Sequence, residues 1–129
     1  MVTVSFDFDH TIFDEENYCF INETVSILRD HIDAGDRVII VTSRIQRMAD
    51  EARDLILKHL KLELEVFSAP GNADDLHDSD PIKSDILITQ GAIKHYDDLV
   101  NCSSLLLAKN TGIEIVLPPA TKASIASCY

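Results

Sequence analysis

The sequence predicts an α/β fold in which helices cover both faces of a five-stranded parallel sheet, a Rossmann-like three-layer sandwich. Short runs of β-branched residues alternate along the chain with segments whose apolar residues recur at helical spacing. The run Arg37–Val41 is apolar at successive positions, as in a strand buried on both faces. The 129 residues, 46% of them hydrophobic, are enough for one core, so we expect a single domain over residues 1–129.

The first strand is predicted from alternation with a period of two. Val2, Val4, Phe6 and Phe8 are separated by smaller or polar residues, which is typical of a β-strand. The other strands are predicted at Arg37–Val41, Leu62–Phe67, Ala92–Tyr96 and Ile113–Leu117.

Four helices are predicted between these strands, from apolar periodicity and from capping residues. Asn22 is the expected N-cap of the first helix and Gly35 its stop. Proline favours the first turn of a helix, so Asp80-Pro81 predicts the start of the third. The remaining bounds are Ile45–Leu60 for the second helix, about Ile88 for the end of the third, and about Leu99–Lys109 for the fourth.

The formal net charge of −11 constrains the partners. Proteins that hold nucleic acid mainly through phosphate contacts are usually basic, so a nucleic-acid substrate would have to be held locally, at an end. Solubility is the ordinary explanation of such a charge, and we favour it.

The sequence contains no membrane or export signal that we recognise. No run of 18 apolar residues occurs, and no basic and apolar leader precedes Asp7. Cys19, Cys102 and Cys128 show no C-x-x-C spacing, so neither a zinc site nor a disulfide framework is predicted. A cytoplasmic location fits these observations best.

Two carboxylates follow the first strand. Asp7 and Asp9 are two residues apart and, as in a strand, are expected to point the same way. Neighbouring carboxylates repel each other unless a cation or a proton lies between them. The pair therefore indicates a metal site or a reaction that uses both groups, although an acidic solvated turn is the simpler alternative.

Polar residues also follow the other strands. Thr42, Ser43 and Arg44 follow the second strand, Lys83 lies where the third helix starts, and Asp97 and Asp98 follow the fourth strand. Each has an ordinary explanation, such as a helix cap or a solvated charge. Because ligands bind at the carboxyl ends of parallel strands, we expect these residues to meet in one site.

Four of these features together resemble the haloacid dehalogenase-like (HAD) superfamily of phosphohydrolases over almost the whole chain. The matching motifs are Phe6-Asp7-Phe8-Asp9-His10-Thr11, the strand Val38–Thr42, Lys83, and Asp97-Asp98. The resemblance implies the strand order 3-2-1-4-5. The stretch after the first strand and the loop Ser68–Asp80 are too short for a large cap domain. Whether that loop acts as a lid is left open.

The resemblance also implies catalytic roles. Asp7 would be the nucleophile that forms an aspartyl-phosphate, and Asp9 would be the general acid and then the base. Thr42 and Lys83 would bind the phosphoryl oxygens and stabilise the transition state.

Mg2+ is the cofactor that the resemblance implies. Its ligands would be the carboxylates of Asp7 and Asp97 and the backbone carbonyl of Asp9, with Asp98 acting through water or orienting Lys83. Thr11, Ser43 and Arg44 would contact the substrate, Arg44 as a bidentate phosphate ligand. A surface arginine at a helix start explains Arg44 equally well.

Several substrates remain open at this stage. The turn Val41-Thr42-Ser43-Arg44 resembles that of the phosphatase module of phage-type polynucleotide kinase-phosphatases, which suggests 3′-phosphate ends of nucleic acid. The net charge favours a small-molecule phosphatase instead, such as a 5′(3′)-nucleotidase acting on mononucleotides. A non-catalytic phosphate-binding module is the third alternative. His10 is expected to face solvent, and His95 and Tyr96 are expected to be packing residues.

Overall fold

The computed structural model describes residues 1–70 and 82–119. Its central feature is a five-stranded sheet in the order β5-β4-β1-β6-β7, which confirms the predicted order 3-2-1-4-5. Along the chain the elements are β1 (Thr3–Phe6), β2 (Phe13–Asp14), β3 (Cys19–Phe20), α1 (Asn22–Asp33), β4 (Arg37–Thr42), α2 (Gln46–Leu60), β5 (Glu65–Ser68), α3 (Ile82–Thr89), β6 (Ala92–Tyr96), a 3-10 turn (Ser103–Leu105), α4 (Leu106–Asn110) and β7 (Glu114–Val116).

Strand β1 lies at the centre and pairs in parallel with β4 on one side and β6 on the other. The pairing continues past the strand end, where the Asp7 N–H donates to the Tyr96 carbonyl at 2.8 Å. The carboxyl ends of β1, β4 and β6 therefore meet at one edge, and the residues that follow them are neighbours.

Strand β4 shows why its sequence is apolar at every position. Val38 and Ile40 belong to the core on one face of the sheet, which α1, α2 and the β2-β3 hairpin complete. Ile39 and Val41 belong to the core on the other face, to which α3 and α4 contribute. Because both faces are covered, alternation would have placed polar side chains inside a core.

A hairpin between β1 and α1 was not predicted. Phe13 and Phe20 pair across β2 and β3, and the Phe13 ring stacks on Phe8 at a centroid distance of 4.9 Å. Its turn is held by Asp14, whose carboxylate accepts the backbone N–H groups of Glu16 and Asn17. The polar stretch after the first strand is thus an ordered turn, and the described residues contain no large cap domain.

Some predicted boundaries are wrong. Helix α1 begins at Asn22, so Ile21 is the N-cap residue and makes no side-chain cap. The helix predicted over Leu99–Lys109 is only a 3-10 turn followed by α4, and the Leu99 N–H is bound by the Asp97 carboxylate at 2.9 Å. The predicted Asp80-Pro81 start of α3 and most of the Ser68–Asp80 loop lie outside the described residues.

In residues 1–70 and 82–119, no helix is both long enough and apolar enough to cross a membrane. Cys19 is a free cysteine, and the absence of a disulfide framework stays a prediction. The cytoplasmic location stays a prediction.

Candidate active site

Three carboxylates meet at the carboxyl edge of the sheet. Asp7 follows β1, and Asp97 and Asp98 follow β6. One carboxylate oxygen from each lies within 4.8 Å of the other two. All three residues are nearly inaccessible, at 7%, 2% and 7% exposure respectively. These residues, far apart in sequence, therefore share one buried site, as their positions after parallel strands predicted.

Lys83, the second residue of α3, reaches into the same cluster. Its Nζ lies 2.9 Å from Asp97 Oδ2 and 3.4 Å from Asp7 Oδ1, and the residue is only 6% exposed. We call Asp7, Asp97, Asp98 and Lys83 the buried cluster. With all three carboxylates ionised, the single ammonium would leave two negative charges uncompensated among buried side chains, and a bound cation would compensate them.

The electrostatics of the buried cluster reflect this excess of negative charge. Burial and the neighbouring Asp97 raise the pKa of Asp7 well above its usual range and raise the pKa of Asp98 to about 6. Burial opposes ionisation of Asp97 too, but Lys83 and a hydrogen bond from His95 outweigh it and hold the pKa of Asp97 far below its usual range. Burial likewise disfavours charged Lys83, yet Asp7 and Asp97 raise its pKa above the ordinary value.

These carboxylates suit a divalent cation that prefers oxygen ligands. Mg2+ is usually held by one or two carboxylates and keeps several waters, and it does not require a complete protein cage. A bound cation would also remove the mutual repulsion that raises the pKa values of Asp7 and Asp98. The residues present therefore fit Mg2+, which the resemblance implied.

Asp97 is held by three donors. Its Oδ1 accepts the Leu99 N–H, and its Oδ2 accepts from Lys83 Nζ and His95 Nε2, each at 2.9 Å. His95 is fully buried, and burial lowers its pKa. The interpretation of His95 as a packing residue therefore missed its contact with the site. Its position two residues before Asp97 on the same strand was the available signal.

Tyr96, in contrast, packs as predicted. Its ring stacks on Phe6 at a centroid distance of 4.5 Å, and its hydroxyl lies 3.0 Å from His31 Nε2.

Thr11 does not lie where a substrate contact was expected. It is fully buried, it is not among the residues that line the cleft, and its hydroxyl accepts the backbone N–H of Asp98 at 3.1 Å. Thr11 therefore positions the backbone that carries Asp98, and its contact with substrate stays a prediction.

Arg44 binds a carboxylate of its own chain in this structure. Its Nε and Nη2 donate to the two carboxylate oxygens of Asp9, each at 2.8 Å, and its guanidinium lies 4.9 Å from the centre of the Phe8 ring. A third donor, Nη1, reaches the Met48 carbonyl at 3.3 Å. The bidentate bond is thus made to Asp9, and Arg44 does not line the cleft. We call Asp9 and Arg44 the outer pair.

Thr42 and Ser43 both line the cleft. Thr42 ends β4 and is 1% exposed, and its hydroxyl accepts the Arg44 N–H at 3.2 Å. It is not the cap of the next helix, because the N-cap position of α2 is Ile45. Ser43 and His10 are exposed and belong to the rim.

The cleft has a volume of about 180 Å³. Sites that enclose a whole small molecule are usually larger, roughly 300–1,000 Å³. The space suits a phosphoryl-sized group and leaves the rest of a substrate outside. Its lining residues are Asp7, Asp9, His10, Thr42, Ser43, Lys83, Asp97, Asp98, Leu99, Cys102 and Ser104.

No family model matches the chain, and no curated protein is detectably similar to it. Among solved structures it is similar to the D,D-heptose 1.7-bisphosphate phosphatase from B. bronchiseptica, described as complexed with magnesium and phosphate. The TM-score is 0.66 at 14% identity, covering 91% of this chain and 80% of that one. The HAD-like fold implied by the motifs is thus confirmed, and at this identity the likeness establishes the fold alone.

Proposed function

We propose that this chain is a Mg2+-dependent phosphomonoester hydrolase that works through an aspartyl-phosphate. The observation that carries the proposal is the buried cluster, in which one oxygen from each of three carboxylates lies within 4.8 Å of the other two and a single ammonium group contacts two of these carboxylates. The cluster lies at the carboxyl edge of a parallel sheet, where such folds bind their ligands.

The carboxylates of Asp7, Asp97 and Asp98 would hold the ion, with the backbone carbonyl of Asp9 as a further oxygen donor. When bound, Mg2+ would offset the charge of the carboxylates and of the phosphoryl oxygens. Lys83 Nζ and the Thr42 hydroxyl, both on the cleft, would bind phosphoryl oxygens from the protein side.

Asp7 would attack phosphorus with one carboxylate oxygen, and the bond from phosphorus to the leaving oxygen would break. Asp9 would give its proton to that leaving oxygen. In the second step Asp9 would take a proton from water as the water attacks phosphorus, which releases inorganic phosphate and restores Asp7. Because Arg44 binds both oxygens of Asp9, the carboxyl must release one of these bonds to reach the leaving oxygen.

For the substrate, the first candidate is a 3′-phosphate end of nucleic acid. Support comes from the resemblance of the turn Val41-Thr42-Ser43-Arg44, from the absence of a large cap in the described part of the chain, and from a cleft that takes only the phosphoryl group. A chain end can present such a group without burying the rest of the polymer.

The second candidate is a small phosphate ester, for example a mononucleotide cleaved by a 5′(3′)-nucleotidase activity. The net charge of −11 disfavours long polyanions. The similar solved structure is itself named as a phosphatase of a small sugar bisphosphate.

Phosphate release with Mg2+ separates these candidates. The substrates are a 3′-phosphorylated oligonucleotide, the same oligonucleotide phosphorylated at the 5′ end, 3′- and 5′-mononucleotides, and sugar phosphates, with Asp7→Asn as the inactive control. Release only from the 3′-phosphorylated oligonucleotide supports the first candidate, and release only from small esters supports the second. Phosphate binding without release from any substrate would instead indicate a non-catalytic binding module.

A further inference from the structure

We propose that Ser5 and His95 form a buried pair whose hydrogen bond positions Asp97 for metal binding, so that the metal affinity of the site depends on two residues that lie beneath it. The inference rests on the proposed function only in requiring that a divalent cation binds the buried cluster. Neither residue lines the cleft, so both would act through Asp97 and neither would touch the substrate.

The pair is placed by the sheet itself. Ser5 of β1 and His95 of β6 are register partners on adjacent parallel strands, and Ser5 Oγ lies 2.9 Å from His95 Nδ1. On the other side of the ring, His95 Nε2 lies 2.9 Å from Asp97 Oδ2. Both residues of the pair are completely buried, and Asp97 is 2% exposed.

The chemistry of the partners determines the direction of these bonds. An ionised carboxylate only accepts, so the ring must carry its proton on Nε2 and donate it to Asp97. In the neutral ring Nδ1 is then an acceptor, and the Ser5 hydroxyl donates to it. Every polar atom of the ring has a partner, and the bonds run from Ser5 to His95 to Asp97.

This arrangement explains how the buried Asp97 carboxylate can keep an orientation in which it binds a metal ion. Lys83 binds the same oxygen of Asp97 and would draw the carboxylate toward itself. The rigid ring of His95, held from behind by Ser5, gives the carboxylate a second fixed donor. Partners behind metal ligands commonly change metal affinity by roughly 10–100-fold when they are removed.

Two substitutions at one position test the bond to Asp97. His95→Gln places an amide donor near the position of Nε2, whereas His95→Asn places its amide near Nδ1 and loses the bond to Asp97. The measurement is calorimetric titration of the substrate-free protein with Mg2+. We expect roughly 10–100-fold weaker binding for His95→Asn, nearly wild-type binding for His95→Gln, and a smaller loss for Ser5→Ala.

His31→Asn is the matched control, because His31 also makes two hydrogen bonds, to Asp36 and Tyr96, but none to the buried cluster. It should leave Mg2+ affinity unchanged. If thermal unfolding shows that His95→Asn does not fold, the test compares the Mg2+ affinities of Ser5→Ala and His95→Gln. Wild-type affinity in a folded His95→Asn, or in Ser5→Ala in that fallback, would overturn the inference while leaving the proposed function intact. If the substitutions change Mg2+ affinity as expected but the chain hydrolyses no phosphate ester, the proposed function is refuted and the inference stands.

Discussion

The buried cluster and the outer pair lie side by side at one edge of the sheet, and both are made of aspartates and a basic residue. In the buried cluster, three carboxylates lie together with the one ammonium of Lys83, which contacts two of them, Asp7 and Asp97. In the outer pair, one carboxylate meets one guanidinium through two bonds of 2.8 Å. The buried cluster has an excess of carboxylates and can therefore bind a cation, whereas in the outer pair one guanidinium neutralises one carboxylate. The ratio of acidic to basic side chains therefore distinguishes the candidate metal site from the ion pair.

The comparison predicts that the largest loss of activity follows from changing Asp7, the proposed nucleophile in the buried cluster. Asp7→Asn should reduce phosphate release by roughly 10³-fold or more, since an amide does not form the acyl phosphate. Steady-state phosphate release measures this effect. Asp54→Asn, an exposed change on α2, is the control and should match wild type. Undiminished release by Asp7→Asn would show that another residue is the nucleophile.

Lys83 sharpens the comparison because removing its charge should have opposite effects on catalysis and on Mg2+ affinity. Lys83→Met should lower kcat by roughly 10²–10³-fold through loss of a donor to the phosphoryl group. Mg2+ should bind at least as tightly as in wild type, because a competing positive charge has gone. Kinetics and calorimetric titration measure the two, with the exposed Lys58→Met as control. A parallel fall in Mg2+ affinity would mean that Lys83 organises the carboxylates instead.

For the outer pair we expect a smaller effect that depends on the leaving group. Arg44→Ala should lower kcat by about tenfold on an alkyl phosphate, because the remaining bond to Arg44 would orient Asp9 while it gives its proton to the leaving oxygen. On p-nitrophenyl phosphate the loss should be slight, since nitrophenolate leaves without protonation.

The control is Arg47→Ala, an exposed arginine on α2. An equal loss on both substrates, together with a raised KM, would favour the phosphate contact that the sequence predicted for Arg44.

The smallest effect is expected for the free energy of unfolding of the metal-free chain, to which Asp98 contributes. The pKa of Asp98 is raised to about 6 by burial and by Asp97, so the folded chain holds this proton more tightly than the unfolded chain. The cost of ionising Asp98 is absent below about pH 4, grows as the pH rises through 6, and is complete above it.

In chelator, Asp98→Asn should therefore raise the free energy of unfolding by about 1–3 kcal/mol at pH 8 and by almost nothing at pH 4. Denaturant unfolding at the two pH values measures this difference, and Asp54→Asn again serves as the control. A gain that is equal at both pH values would show that charge repulsion is not its cause.

The sequence was sufficient to predict the sheet and the membership of the buried cluster. Asp7, Lys83, Asp97 and Asp98 were expected together because each follows a strand or opens the next helix, and parallel strands bring those points to one edge. The hairpin was missed because two-residue strands leave almost no periodic pattern.

The sequence by itself determined the order of the elements and the edge of the sheet at which the polar residues meet. Hydrophobic periodicity predicts the elements, and the connectivity of parallel strands predicts the edge. Only the tertiary structure decided the partners: Arg44 on Asp9, Thr11 on the Asp98 backbone and His95 between Ser5 and Asp97. The reason is physical, because a hydrogen bond depends on a few tenths of an ångström and on direction. Residue types and spacings along a chain do not specify either quantity.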